Sequence, residues 1–234
     1  MQQIAIVNKS KRLTDDFVAF AAKACAEQVI ECAKAWGIEP TPVAFYASES
    51  NLPARDCRIM ALVDELDEAP GAGGYHIFEL GIVYGRVLAG DQNATSVVLS
   101  HECLEQLVDP YCNEWRSMGG GRRVALEVCD PVQADTYGLT VEIMGERRAI
   151  VLSNYVLPRW FEPAAVGMFD RMGELRAPLS MSEGGYLIIR DADGNEENIF
   201  ANRPRLRLQG ITAKLAISTK LTNNETRLAR RLRS

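Results

Sequence analysis

The residues Ser100-His101-Glu102-Cys103-Leu104-Glu105 have types and spacing that could do chemistry. On a helix, His101 and Glu105 stand one turn apart on the same face, with Asp109 one turn further along. An imidazole nitrogen and a carboxylate oxygen placed in this way can grip a divalent metal ion. Glu102, one step round the helix, then stands where a general base must be to take a proton from a metal-bound water. The run departs from the H-E-x-x-H signature at one position, where Glu105 replaces the second histidine. The chain has two histidines, His76 and His101, so a His-Glu pair here carries more weight than in a histidine-rich protein.

A third ligand has three candidates. The run from Val124 to Pro131 reads as strand-like and sets Glu127 and Asp130 on either side of Cys129. On an ideal strand these two carboxylates face opposite ways, so only one reaches the helix unless the backbone turns at Asp130-Pro131. Either one completes a His-Glu-Asp or His-Glu-Glu set with a position left for water, and Asp109 is the third candidate. One nitrogen with several oxygens is a harder donor set than three histidines, so the expected cofactor is Zn²⁺ or another divalent transition metal, Mn²⁺ and Fe²⁺ included. Cys103, Cys112 and Cys129 surround the same stretch and keep a softer set open, although their spacing matches no structural zinc pattern.

The competing interpretation is a structural helix whose His101 is held by a neighbouring carboxylate. Val97, Val98, Leu104 and Val108 flank the polar pair, so Glu105 points inward or into a cleft. A buried carboxylate without a partner costs roughly several kcal/mol or takes up a proton. A metal, His101 or a nearby arginine must therefore satisfy it.

The elements that position this site follow from periodicity and turn signals. Residues 2–7 read as a strand. Asp15 to Trp36 carries an apolar helical stripe, with Thr14 as N-cap, Asp15 and Asp16 in the first turn and Gly37 past the end, and reads as a packing helix. Strands are expected at Pro42–Ala47 and Cys57–Asp64, and after a flexible loop at 67–74 come Tyr75–Glu79 and Ile82–Leu88, broken at Gly81. A polar turn at Gly90–Asn93 leads into the His101 helix, expected from about Thr95 to Asp109. The glycine loop at 118–123 lacks G-K-[ST] and is read as flexible, with no phosphate-binding role. Hairpins are expected at Leu139–Leu152 over Met144-Gly145-Glu146, and at Gly184–Phe200 over Asp191–Asn195, whose acids lack the glycine position and closing glutamate of a calcium loop. Tyr155, Trp160 and Phe161 sit in a Pro-bounded segment that reads as a packed loop or a cleft lining.

With 234 residues, 47% of them hydrophobic and 24% charged, the chain is expected to be a soluble α+β protein with one main domain over residues 1–200. No apolar run approaches membrane-spanning length and no secretory leader is evident, so a cytoplasmic location is expected. The six cysteines form no C-x-x-C pair and are read as buried, reduced thiols. Charge is uneven: from Ala201 onward nine basic residues stand against Glu225, a local +8, so the remainder carries −13 to reach the net −5. Residues 201–234 are therefore read as a basic arm able to touch nucleic acid, an acidic partner or the acidic body, or else to remain a solvated tail.

Several pieces taken together, namely Gly74-Tyr75-His76, Tyr84-Gly85-Arg86-Val87, Ser100-His101-Glu102 with Leu104-Glu105, and Glu127-Val128-Cys129-Asp130-Pro131, resemble a family of phage and bacterial proteins with a zincin-like, metallopeptidase-type motif. Ser153–Pro158, Trp160-Phe161, Pro178 and Gly184-Gly185-Tyr186 extend the resemblance over roughly residues 75–190. It implies a mixed sheet whose edge strand within Tyr75–Leu88 borders a cleft, with the active helix beneath. It also implies His101 and Glu105 as ligands, Glu102 as catalytic acid/base, and a peptide or protein substrate. Because the family includes phage proteins, it equally implies a host-cytoplasm or virion setting. There the chain would be an inactive scaffold whose basic arm binds neighbouring virion proteins or nucleic acid.

Overall fold

The computed structural model describes residues 2–52, 57–68 and 72–201. The expected basic arm and the boundary near Arg203 lie outside the described residues. In chain order the elements are β1 (Gln3–Asn8), α1 (Asp15–Trp36), β2 (Val43–Tyr46), β3 (Cys57–Val63), β4 (Gly74–Glu79), β5 (Ile82–Leu88), α2 (Gln92–Val108), β6 (Trp115–Gly119), β7 (Arg122–Ala125), β8 (Thr136–Ile143), β9 (Glu146–Ser153), β10 (Tyr186–Arg190) and β11 (Glu196–Phe200). The architecture is mixed α+β. A five-stranded sheet runs in the order β2-β1-β3-β5-β4, β11-β10-β7-β6 form a second sheet, and β8-β9 form a hairpin. Among the described residues no helix is long and apolar enough to cross a membrane.

In the five-stranded sheet β2, β1, β3 and β5 are parallel, and β4 closes the edge antiparallel to β5. The register places Phe45, Ile6, Met60, Gly85 and His76 in one row across it. Side chains in such a row share a face. Ile6 and Met60 from this row join the core with Leu99, Cys103 and Leu104 of α2, so His76 ends the row on the helix-covered side of the edge strand. Gly85 leaves room for its neighbours: a Cβ there would lie 2.7 Å from the Tyr75 carbonyl oxygen and 2.8 Å from Met60 Cε.

Helix α1 forms where its signals place it. Thr14 Oγ1 accepts from the Phe17 amide at 3.2 Å, and Gly37 closes the helix through its amide to the Ala33 and Lys34 carbonyls. Its stripe of Phe17, Phe20, Ala24, Val29 and Cys32 is buried. Helix α2 begins earlier than the periodicity suggests, because Asp91 caps it: Asp91 Oδ1 accepts from the Asn93 and Ala94 amides at 3.0 and 3.1 Å. The expected polar turn at Gly90–Asn93 is thus partly the first turn of the helix. Every residue from Thr95 to Leu107 is buried. The helix is sandwiched between the sheet, α1 and the β8-β9 hairpin, and His101, Glu102 and Glu105 are buried.

Two further sequence expectations change. The glycine stretch is not a loose loop: Gly119, Gly120 and Gly121, all with φ > 0, make a tight turn between β6 and β7. The strand expected over Val124–Pro131 ends at Ala125. Beyond it the chain is held by Leu126 N–H to the Glu114 carbonyl at 3.0 Å and then enters a 3-10 turn at Asp130–Val132. Pro131 has no amide to continue a ladder.

Tyr155, Trp160 and Phe161 are core residues, so the Pro-bounded segment is a packed loop. The Asp191–Asn195 stretch is a hairpin turn, with Asp191 Oδ1 accepting from the Asp193 and Asn195 amides.

Candidate metal centre

Three elements meet at the site. From α2 come His101, Glu102 and Glu105, from the edge strand β4 comes His76, and from the segment after β7 come Glu127 and Asp130. His101 Nε2 lies 2.7 Å from Glu105 Oε1 and 3.1 Å from Asp130 Oδ1. His76 Nδ1 lies 3.2 Å from Glu102 Oε2 and 3.8 Å from Glu105 Oε2. Five of these six residues are buried, and Glu127 is partly buried.

Glu127 and Asp130, which an ideal strand would point apart, both reach Glu105: one oxygen from each of the three carboxylates lies within 4.8 Å of the others. The turn at Asp130-Pro131 brings this about. Gly185 holds that turn in place, since a Cβ there would lie 2.1 Å from the Pro131 carbonyl oxygen, and the Ser182 amide donates to the same oxygen at 3.0 Å. Tyr186, next in the chain and buried, hydrogen-bonds Asp130. Gly185→Ala is therefore expected to displace the Asp130 turn, cost about 1–3 kcal/mol as overpacking does, and loosen the site. Chemical denaturation of the wild type and the variant measures this; equal midpoints would show that the close approach is relieved without consequence.

Asp109 is not brought into the cluster in the same way. It caps the end of α2, its Oδ2 accepts from the Glu114 amide at 2.8 Å, and its backbone oxygen lies 3.3 Å from His76 Nε2. Of the cysteines, Cys103 pairs with Cys25 of α1 through a hydrogen bond that, together with burial, pushes its thiol pKa well up. Such thiols are inert packing groups. Cys112 Sγ lies 3.7 Å from the His76 carbonyl oxygen and Cys129 Sγ 3.8 Å from that of His101, the two thiols donating to those oxygens. Cys129 also falls within 4.8 Å of His101 and Glu105 donor atoms, which leaves one soft donor at the margin of the site. No disulfide joins any of the six cysteines; Cys25, Cys32, Cys103 and Cys129 are buried as expected, whereas Cys57 and Cys112 are only partly buried.

The electrostatics are those of crowded anions. Burial, reinforced by the charges of Glu105 and Asp130, pushes the Glu127 carboxyl well above the usual carboxylate range, with His76 opposing. Burial alone would lower His76. The Cys112 sulfur, the hydrogen bond to Glu102 and the charge of Glu127 outweigh it and hold His76 well above the ordinary histidine value. Burial and the charges of Asp130 and Glu105 raise Tyr186. A proton or a cation relieves each of these shifts in the same sense.

The donor set fits a metal. Nitrogen and oxygen ligands about 2.0–2.2 Å from a tetrahedral ion stand roughly 3.3–3.6 Å from one another. The 2.7–3.8 Å separations here bracket that range. Among the described residues, three overlapping groups of potential ligands occur, namely His101-Glu105-Cys129, His76-Glu102-Glu105 and Glu105-Glu127-Asp130, and Glu105 belongs to all three.

His76 and Tyr186 were not assigned to the site from the sequence. The signal for His76 was available in its being the only other histidine, on an edge strand beside the His101 helix. No local pattern points to Tyr186. No protein-family model, curated protein or solved structure matches the chain.

Proposed function

We propose that this chain is a metal-dependent hydrolase of zincin-like layout, acting on a peptide or protein substrate. The observation that carries the proposal is the buried convergence of His101 Nε2, Glu105 Oε1 and Asp130 Oδ1 at 2.7 and 3.1 Å, with Glu127 alongside. His101, Glu105, Asp130 and Glu127 would hold Zn²⁺ or another divalent transition metal. Such an ion, when bound, acts as a Lewis acid that acidifies water and polarises a carbonyl. Glu102, adjacent on α2, accepts the proton and later returns it to the leaving amine, as a general acid/base does. The His76 hydrogen bond at Glu102 Oε2 orients that carboxylate. The antiparallel edge strand β4 beside α2 supports the zincin-like reading, because it places an edge strand next to the candidate catalytic residues.

The test is to purify the full chain, measure its bound transition metal, and assay hydrolysis of unfolded protein substrates with and without a chelator. Chelator-sensitive cleavage by metal-loaded protein is expected. A metal-bearing chain that cleaves no peptide bond in any such substrate would leave the metal and remove the peptidase.

One observation favours a second reading. The excess of +8 beyond residue 200, against a body of −13, suits an assembly protein whose arm binds nucleic acid or a neighbouring acidic subunit, as in a phage particle. Truncation after Asn223 removes four of the nine basic residues, Arg227, Arg230, Arg231 and Arg233. It is expected to weaken association with double-stranded DNA and to flatten its salt dependence. Binding that is equal for both forms at low and high salt would rule out an electrostatic role for the arm.

A further inference from the structure

We propose that the cluster is a two-metal site in which Glu105 bridges two divalent cations, with His101, Asp130 and Glu127 serving one and His76 and Glu102 the other. This rests on the metal reading above and adds a second ion to it. Its basis is the way Glu105 is shared. Its Oε1 lies 2.7 Å from His101 Nε2, while its Oε2 lies 3.8 Å from His76 Nδ1, so the two oxygens of one carboxylate face two different histidines. A carboxylate so divided is the usual link between ions about 3.5–4 Å apart.

The second half-site has its own donors. His76 Nδ1 lies 3.2 Å from Glu102 Oε2, and donor atoms of His76, Glu102 and Glu105 all fall within 4.8 Å of one another. The other ring nitrogen of His76 lies 3.3 Å from the Asp109 backbone oxygen. The Nε2–H donates there, so Nδ1, whose proton meets Glu102 in the metal-free protein, is the nitrogen an ion would take in place of that proton. Metal-binding histidines are oriented in this way, with one ring nitrogen on the ion and the other N–H on a carbonyl. Glu102 needs only Oε2 for the ion and keeps its second oxygen as a proton acceptor.

Charge points the same way. Glu102, Glu105, Glu127 and Asp130 bring four carboxyl groups to one pocket, which carry four negative charges once all are ionised by a bound cation. One divalent cation balances half of them, and two balance all of them. The site is built from nitrogen and oxygen donors, so the cations it suits are Mn²⁺, Fe²⁺ and Zn²⁺.

The experiment strips the full-length chain with chelator, reloads it with Mn²⁺, removes unbound ion by gel filtration, and reads metal content by mass spectrometry together with the electron paramagnetic resonance spectrum. The expected wild-type result is two Mn²⁺ per chain with an exchange-coupled spectrum. His76→Ala is expected to retain one Mn²⁺ with the spectrum of an isolated ion, and His76→Gln serves if the alanine variant does not fold. One Mn²⁺ per wild-type chain with an isolated-ion spectrum, unchanged by either substitution, would overturn the second ion and leave the first standing. Wild type that retains no Mn²⁺, and no Zn²⁺ when reloaded with that ion, would overturn both.

Discussion

Glu105→Gln is expected to leave the chain folded and to strip it of metal. Glu105 is the one residue common to all three groups of potential ligands, and the amide keeps its shape while removing its charge. Loss of a charged ligand exceeds the 10–100-fold affinity loss typical of removing a residue that merely supports one, so metal affinity should fall by at least about 100-fold and hydrolysis to background. Stability should not collapse with it. The charge of Glu105 is one of the causes that push up the Glu127 carboxyl, and removing it relieves crowding in the metal-free protein. Metal content measured beside the thermal midpoint separates the outcomes: an intact fold without metal is expected, and unchanged metal content would show that Glu105 is not a ligand.

Glu102→Gln is expected to give the opposite combination. The ion held by His101, Glu105 and Asp130 should remain, because Glu102 lies round the helix from that set and meets His76 at 3.2 Å. Turnover should fall by about 10²–10⁴, the usual contribution of a positioned general base. The amide cannot take up a proton, so the loss should appear in kcat more than in KM. Full activity in this variant would remove Glu102 from the chemistry.

The elements were legible in the sequence where local signals set them. Helix α1 starts and stops at Thr14 and Gly37 because a hydroxyl cap and a glycine act within a few residues of the ends they close. The β8-β9 hairpin turns at Met144-Gly145, as its spacing suggests. The inward-facing pair His101 and Glu105 follows from apolar neighbours on one helix, and the structure brings them to 2.7 Å.

What the sequence did not disclose depends on register and on long-range contact. His76 faces α2 because it stands opposite Gly85 at the end of a row that runs back through Met60 and Ile6, a relation set by strand pairing across the whole sheet. Glu127 and Asp130 share a site because the strand ends at Ala125, the chain turns at Asp130–Val132, and Gly185, far along the chain, lets β10 close over that turn. Strand β6 shows no alternation that periodicity could detect. Its residues are exposed or only partly buried, and it exists through pairing with β7.

The most direct test of the metal centre is X-ray absorption at the zinc edge on the full chain, reloaded with Zn²⁺ and freed of excess ion. The expected spectrum shows nitrogen and oxygen neighbours at about 2.0–2.2 Å with the outer-shell signature of imidazole, and that signature should weaken in His101→Ala. A first shell dominated by sulfur at about 2.3 Å, or a wild-type chain that keeps no zinc through gel filtration, would contradict a centre built on His101, Glu105, Asp130 and Glu127.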